Sequence, residues 1–72
     1  MAHTIRFNHS NEDMLERVRA RVRSEGWTGR AGFNEWAKIN YDAQFRRGVS
    51  GEITSITFKS DQNMMLFRLT FG

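Results

Sequence analysis

Met64-Met65-Leu66-Phe67-Arg68-Leu69-Thr70-Phe71 is the stretch on which the fold turns. Met65, Phe67, Leu69 and Phe71 fall on one side of a strict two-residue alternation. Met64, Leu66, Arg68 and Thr70 fall on the other, which is the pattern of a half-buried strand with an aromatic-rich inner face. Read this way, residues 64–71 are the floor of the core. Working back, Ser60-Asp61-Gln62-Asn63 is a polar connection, and residues 52–59 form an antiparallel partner strand with Ile56 and Phe58 facing inward. Ile53 has the opposite parity, so a bulge or an early start is expected there. Residues 48–51 carry turn chemistry.

Residues 33–47 have helical spacing, with Phe33, Trp36, Ala37, Ile39, Asn40 and Ala43 on a broad face. Residues 12–25 place Met14, Leu15, Val18 and Val22 on a narrow helical stripe. The run from Arg17 to Arg23 also alternates like a strand. An N-cap at Ser10 or Asn11, the acidic first turn of Glu12 and Asp13, and the i,i+4 pair Asp13 with Arg17 favour helix. Residues 4–8 alternate, with Ile5 and Phe7 on one side, and read as a first strand. Between the helices, Gly26-Trp27-Thr28-Gly29-Arg30-Ala31-Gly32 spaces three glycines three residues apart and stops the first helix. The expected fold is α+β: strand-helix-helix-strand-strand, a three-stranded antiparallel or mixed sheet with two helices packed on one face. Residues 1–72 are one small domain.

A chain of 72 residues buries about 60% of the surface its unfolded form exposes. Without cysteine it has neither a disulfide nor a thiolate metal site to help it. No apolar run approaches the ~20 residues of a membrane span, so a cytoplasmic protein without a membrane partner is expected. Net charge is +3, carried mainly by arginine. His3 and His9 lack a cysteine or carboxylate at ligand spacing, and Ser10 has no triad context. Glu12, Asp13 and Glu16 are a first-turn charge cluster rather than an acid/base pair. Hence no catalytic residue, cofactor or metal is expected, and the chain is expected not to be an enzyme.

The functional candidates are therefore contact residues. On a helical wheel Arg19 and Arg23 flank one side of the first helix's apolar stripe, and Arg17 and Arg21 the other, with their stems over the core edge. Arg30 and Trp27 lie in the glycine loop, while Arg6, Arg68 and Leu66 are expected on the outer sheet face. Arginine and tryptophan are enriched at protein interfaces. Small size and the lack of a catalytic set look like the host-directed inhibitors of phages and mobile elements, including anti-CRISPR and polymerase-blocking proteins. That likeness implies a steric blocker of a larger host protein or ribonucleoprotein complex.

A second resemblance rests on the order strand, helix, Gly26-Trp27-Thr28-Gly29, helix, strand. This is similar to the minimal order of a KH domain, whose Gly-x-x-Gly loop clamps a nucleic-acid backbone. The resemblance spans residues 4–58 in order and two glycines in motif. Such loops carry a basic residue between the glycines, where this chain has Trp27 and Thr28. It implies a small RNA- or single-stranded-DNA-binding protein. Either a monomer or a homodimer fits both readings.

Overall fold

The computed structural model describes residues 3–72. Its elements are β1 (His3–Arg6), α1 (Glu12–Ser24), α2 (Gly29–Tyr41), β2 (Ala43–Arg47), β3 (Ile53–Phe58) and α3 (Asp61–Phe71). The class is α+β, with three helices and a three-stranded antiparallel sheet in the order β1-β3-β2.

Two expectations are corrected. Residues 64–71 form helix α3 rather than the floor strand, and residues 33–47 are not one helix, because β2 occupies their last five positions. Phe67 and Phe71, four residues apart, lie on a common face in either period. The decisive residues are Met65 and Leu69, which a strand would turn inward and which are 55% and 82% exposed. Met64, Phe67 and Phe71 instead line the inner side of a helix at i, i+3 and i+7. Ser60 caps it, its hydroxyl accepting from the Asn63 amide at 3.2 Å, and Asp61 sits in the first turn. Only Thr70 in α3 is β-branched, so local propensity also favours helix.

α2 ends where Asp42 enters the left-handed region (φ 50°, ψ 47°) and its amide donates back to the carbonyls of Ala37 and Lys38. Aspartate tolerates that conformation better than most residues. The chain then leaves extended, turning Ala43 and Phe45 inward and Gln44 and Arg46 outward. Ile39 and Asn40 are exposed rather than part of the buried face, and Asn40 Nδ2 donates to the Trp36 carbonyl at 2.9 Å. Asn11 precedes α1 without capping its amides; it accepts from the Asn8 amide and donates to the Arg6 carbonyl, both at 2.7 Å, fastening the turn to β1.

β3 is central. Ile56 is flanked by Ile5 and Phe45 on the inner face, and Ser55 by Arg6 and Arg46 on the outer one. The β2–β3 ladder is irregular between Arg46 and Arg47, so that Arg47 lies opposite Ile53. The inner face meets Val18 and Val22 of α1, Trp36 and Ala37 of α2, and Phe67 and Phe71 of α3 in one buried cluster. Aromatic rings fill its centre. Trp36 stacks near Phe45 at 6.4 Å and meets Phe71 edge-on at 5.8 Å, while Phe67 lies 5.3 Å from Phe58 and 4.9 Å from Phe71. Among the described residues no helix is long and apolar enough to cross a membrane.

In a urea titration of dilute protein, Phe67→Ala should remove about 3–5 kcal/mol and leave little folded protein, whereas Leu69→Ala should stay within about 0.5 kcal/mol. Equal losses at the two positions would contradict the helical placement of this segment.

Candidate functional site

The four arginines of α1 divide between two surfaces, because residues three or four apart share a helix face. Arg17 and Arg21 turn toward the end of α3. An Arg17 Nη1 donates to the Phe71 carbonyl at 3.3 Å, and the Arg21 guanidinium lies 6.0 Å from the Phe71 ring centre. Cationic donors at a helix C-terminus satisfy its open carbonyls and oppose its dipole, so this pair has a structural task.

Arg19 lies on the other flank, and Arg23 follows it one turn later, exposed. Arg30, the second residue of α2, extends its guanidinium over the β2–β3 turn: a Cβ added at Gly51 would stand 2.5 Å from an Arg30 Nη2. Arg47 at the end of β2 reaches the same turn, donating from Nη1 to the Gly51 carbonyl at 2.7 Å, with its guanidinium 5.9 Å from the Phe33 ring centre. Gly51 has φ +84°, the left-handed value that keeps a side chain out of this crowded place. Partial burial, with the neighbouring Arg30 and Arg19 guanidiniums, lowers the Arg47 pKa from the usual arginine value. Arg30 and Arg47 thus meet at the β2–β3 turn, Arg19 on α1 is near enough for its charge to act on Arg47, and the Arg19 Nε is shielded from solvent without a hydrogen-bond partner among the described residues.

None of these guanidiniums is in contact with a carboxylate among the described residues, although Glu52 of the same turn lies nearby, against Gly48. The ion-pair contacts among the described residues are His3 with Asp61, His9 with Glu12 and Lys59 with Asp42, so no arginine has a carboxylate within 4.0 Å. The expected i,i+4 pair of Asp13 with Arg17 is not formed. By contrast, the 310 Å³ cavity between α2 and the ends of β2 and β3 mixes Glu35 and Asp42 with Lys38 and Lys59, whose charges offset.

Beside the arginines, the start of α2 is open. Thr28 makes no side-chain cap and no acidic residue lies in the first turn, so the dipole's positive end and its first amides are left to solvent. Gly26 (φ +85°) and Gly29 (φ +69°) shape the loop, and a Cβ at either would meet nothing within 4 Å. The loop's inner side is held by Gly32, where a Cβ would come within 3.2 Å of the Trp27 backbone. That close approach seats Trp27 half-buried against the core.

The remaining candidates lie elsewhere. Arg6 is on the outer sheet face, across β3 from Arg46. Arg68 and Leu66 are not on that face, because their segment is helical; Arg68 lines a cleft with Ile5 and Met14, and Leu66 is 47% exposed on α3. Arg47 is the member that reading residues 33–47 as one helix concealed. The period-2 run Ala43-Gln44-Phe45-Arg46 was the signal for it. Among the described residues no group of three or more His, Cys, Asp or Glu comes together to hold a metal. The chain matches no protein-family model, no curated protein and no solved structure.

Like charges gathered at the β2–β3 turn oppose folding. Arg30→Gln, relieving about 0.2–0.5 kcal/mol of repulsion, should raise the melting temperature by about 1–4 °C in low-salt differential scanning fluorimetry. A fall in melting temperature would mean that Arg30 is held by favourable contacts and that the cluster is not under strain.

Proposed function

We propose that the chain is a small non-enzymatic protein that binds single-stranded nucleic acid through the backbone phosphates. The observation carrying this reading is the convergence of Arg19, Arg30 and Arg47 beside an uncapped helix N-terminus. Guanidinium forks and free helix amides are both phosphate ligands, and gathered like charges are stabilised when an anion arrives. The order β1, α1, Gly26-Trp27-Thr28-Gly29, α2, β2 supports the same reading, since it is the order in which KH-type proteins present their clamp loop. The positive charge such loops carry between the glycines is supplied here by Arg30, directly after the second one. Trp27 and Phe33, both partly buried beside the cluster, favour a single strand, whose unstacked bases can lie on aromatic rings.

A second reading is a steric inhibitor of a larger host protein or ribonucleoprotein complex, of the kind phages encode. The same unpaired guanidiniums favour it, because carboxylates of a protein surface or phosphates of a bound RNA would complete them equally well.

Fluorescence anisotropy with labelled single-stranded RNA and DNA tests the first reading. Three phosphate contacts predict a slope of log K against log salt of about −2 for a single strand. Binding should be lost in the R19Q/R30Q/R47Q variant and kept in R17Q/R21Q. No binding at about 50 mM salt, or equal losses in the two variants, would remove this reading and leave the inhibitor.

A further inference from the structure

α3 is apolar on two opposite sides. Its inner side, with Phe67 and Phe71, is buried, yet Met65, Leu66 and Leu69 are 55%, 47% and 82% exposed. At 3.6 residues per turn these three share one face, turned away from the core. An exposed apolar face of this kind marks a surface for contact. We propose that this outer face is a homodimer interface, in which α3 packs antiparallel against α3 of a second copy.

The choice of a second copy rests on charge. The chain carries a net charge of +3, so two copies repel each other at long range. The outer face of α3 is different: Asp61 and Arg68, seven residues apart, lie on the same flank of the apolar stripe, one at each end. Two such helices placed antiparallel about a two-fold axis set each Asp61 opposite an Arg68 of the other copy, so both pairs form at once. A parallel arrangement leaves the two copies of that flank on opposite sides of the seam, so that neither pair forms. Antiparallel packing also opposes the two helix dipoles, and it brings Arg17 and Arg21, which lie beside the C-terminal end of α3, toward the acidic N-terminal end of the other helix. Asp61 makes no hydrogen bond to His3, whose Nδ1 lies 3.8 Å from its carboxylate, and its side chain is 61% exposed.

The area sets the strength. Three partly open side chains offer about 100 Å² each, against about 800 Å² per partner in a standard interface. β1, an edge strand, lies on the Arg68 side of α3, where Ile5 and Arg68 line one cleft. The dimer is therefore a weak and reversible one. It does not depend on the cationic cluster, which lies on other elements.

Sedimentation equilibrium of the full chain from about 5 to about 500 µM tests this. The mass of the unaltered protein should rise from 8.4 kDa toward twice that value. Leu69→Asp and, separately, Met65→Glu should hold it at the monomer mass with circular dichroism and melting cooperativity unchanged. D61R and R68D should each weaken association about tenfold, and the double variant D61R/R68D should recover to within about threefold. A monomer at every concentration, or a dimer indifferent to Leu69→Asp, would overturn the proposal; failure of the charge swap to recover association would overturn the antiparallel pairing.

Discussion

The burial of Phe67 and Phe71 against Trp36, Phe58 and Tyr41 is the contact on which the rest depends. An eleven-residue helix is marginal alone in water, so α3 is held by what its inner side covers. The sheet needs that cover equally. Three short strands expose an apolar face that only three helices close completely. In a chain without cysteine, the aromatic cluster supplies the cohesion that small domains otherwise take from disulfides or metal.

A core built from so few side chains leaves a large surface, and its use is uneven. α1 illustrates this: one helical face divides its arginines into a pair that finishes α3 and a pair that leaves it. Arg17 and Arg21 act on carbonyl and ring within the fold. The charge of Arg19 acts on Arg47, which shares the β2–β3 turn with Arg30, and none of the three has a carboxylate within 4.0 Å among the described residues. Folding alone gives no reason for such an arrangement, and sites that work against local stability are where function is to be sought.

The glycine loop connects the two halves of this account. Gly32 lets Trp27 close onto α2, while Gly26 and Gly29 give the backbone its turn and leave the start of α2 uncovered. Tight on the inside and open on the outside, the loop sets an unshielded helix N-terminus next to Arg30. The second unexplained surface, the outer side of α3, has the opposite character: it is apolar, and its one acid and one base balance. The two proposals rest on these separate surfaces, a polyanion on the charged patch and another copy of the chain on the apolar stripe.

Sequence alone pointed to the class, the first strand, the first helix and the glycine loop. Arg17 to Arg23 suits either period, and the acidic first turn of Glu12 and Asp13 favoured the helix although Asn11 does not cap it and Asp13 does not pair with Arg17. Sequence also marked Phe67 and Phe71 as core, since residues four apart fall on one side in either period. Tertiary structure decided the rest. Residues 61–71 carry an alternating pattern of apolar residues that also suits a helix, and whether Leu69 or Met64 turns inward depends on which surface is waiting for it. The break at Asp42 carries no glycine or proline to announce it, and with it went the placement of Arg47. The cationic cluster was half visible, as Arg19 and Arg30; its third member and its convergence come from bringing α1, α2 and the β2–β3 turn together, and proximity between distant elements is a property of packing that no local pattern contains.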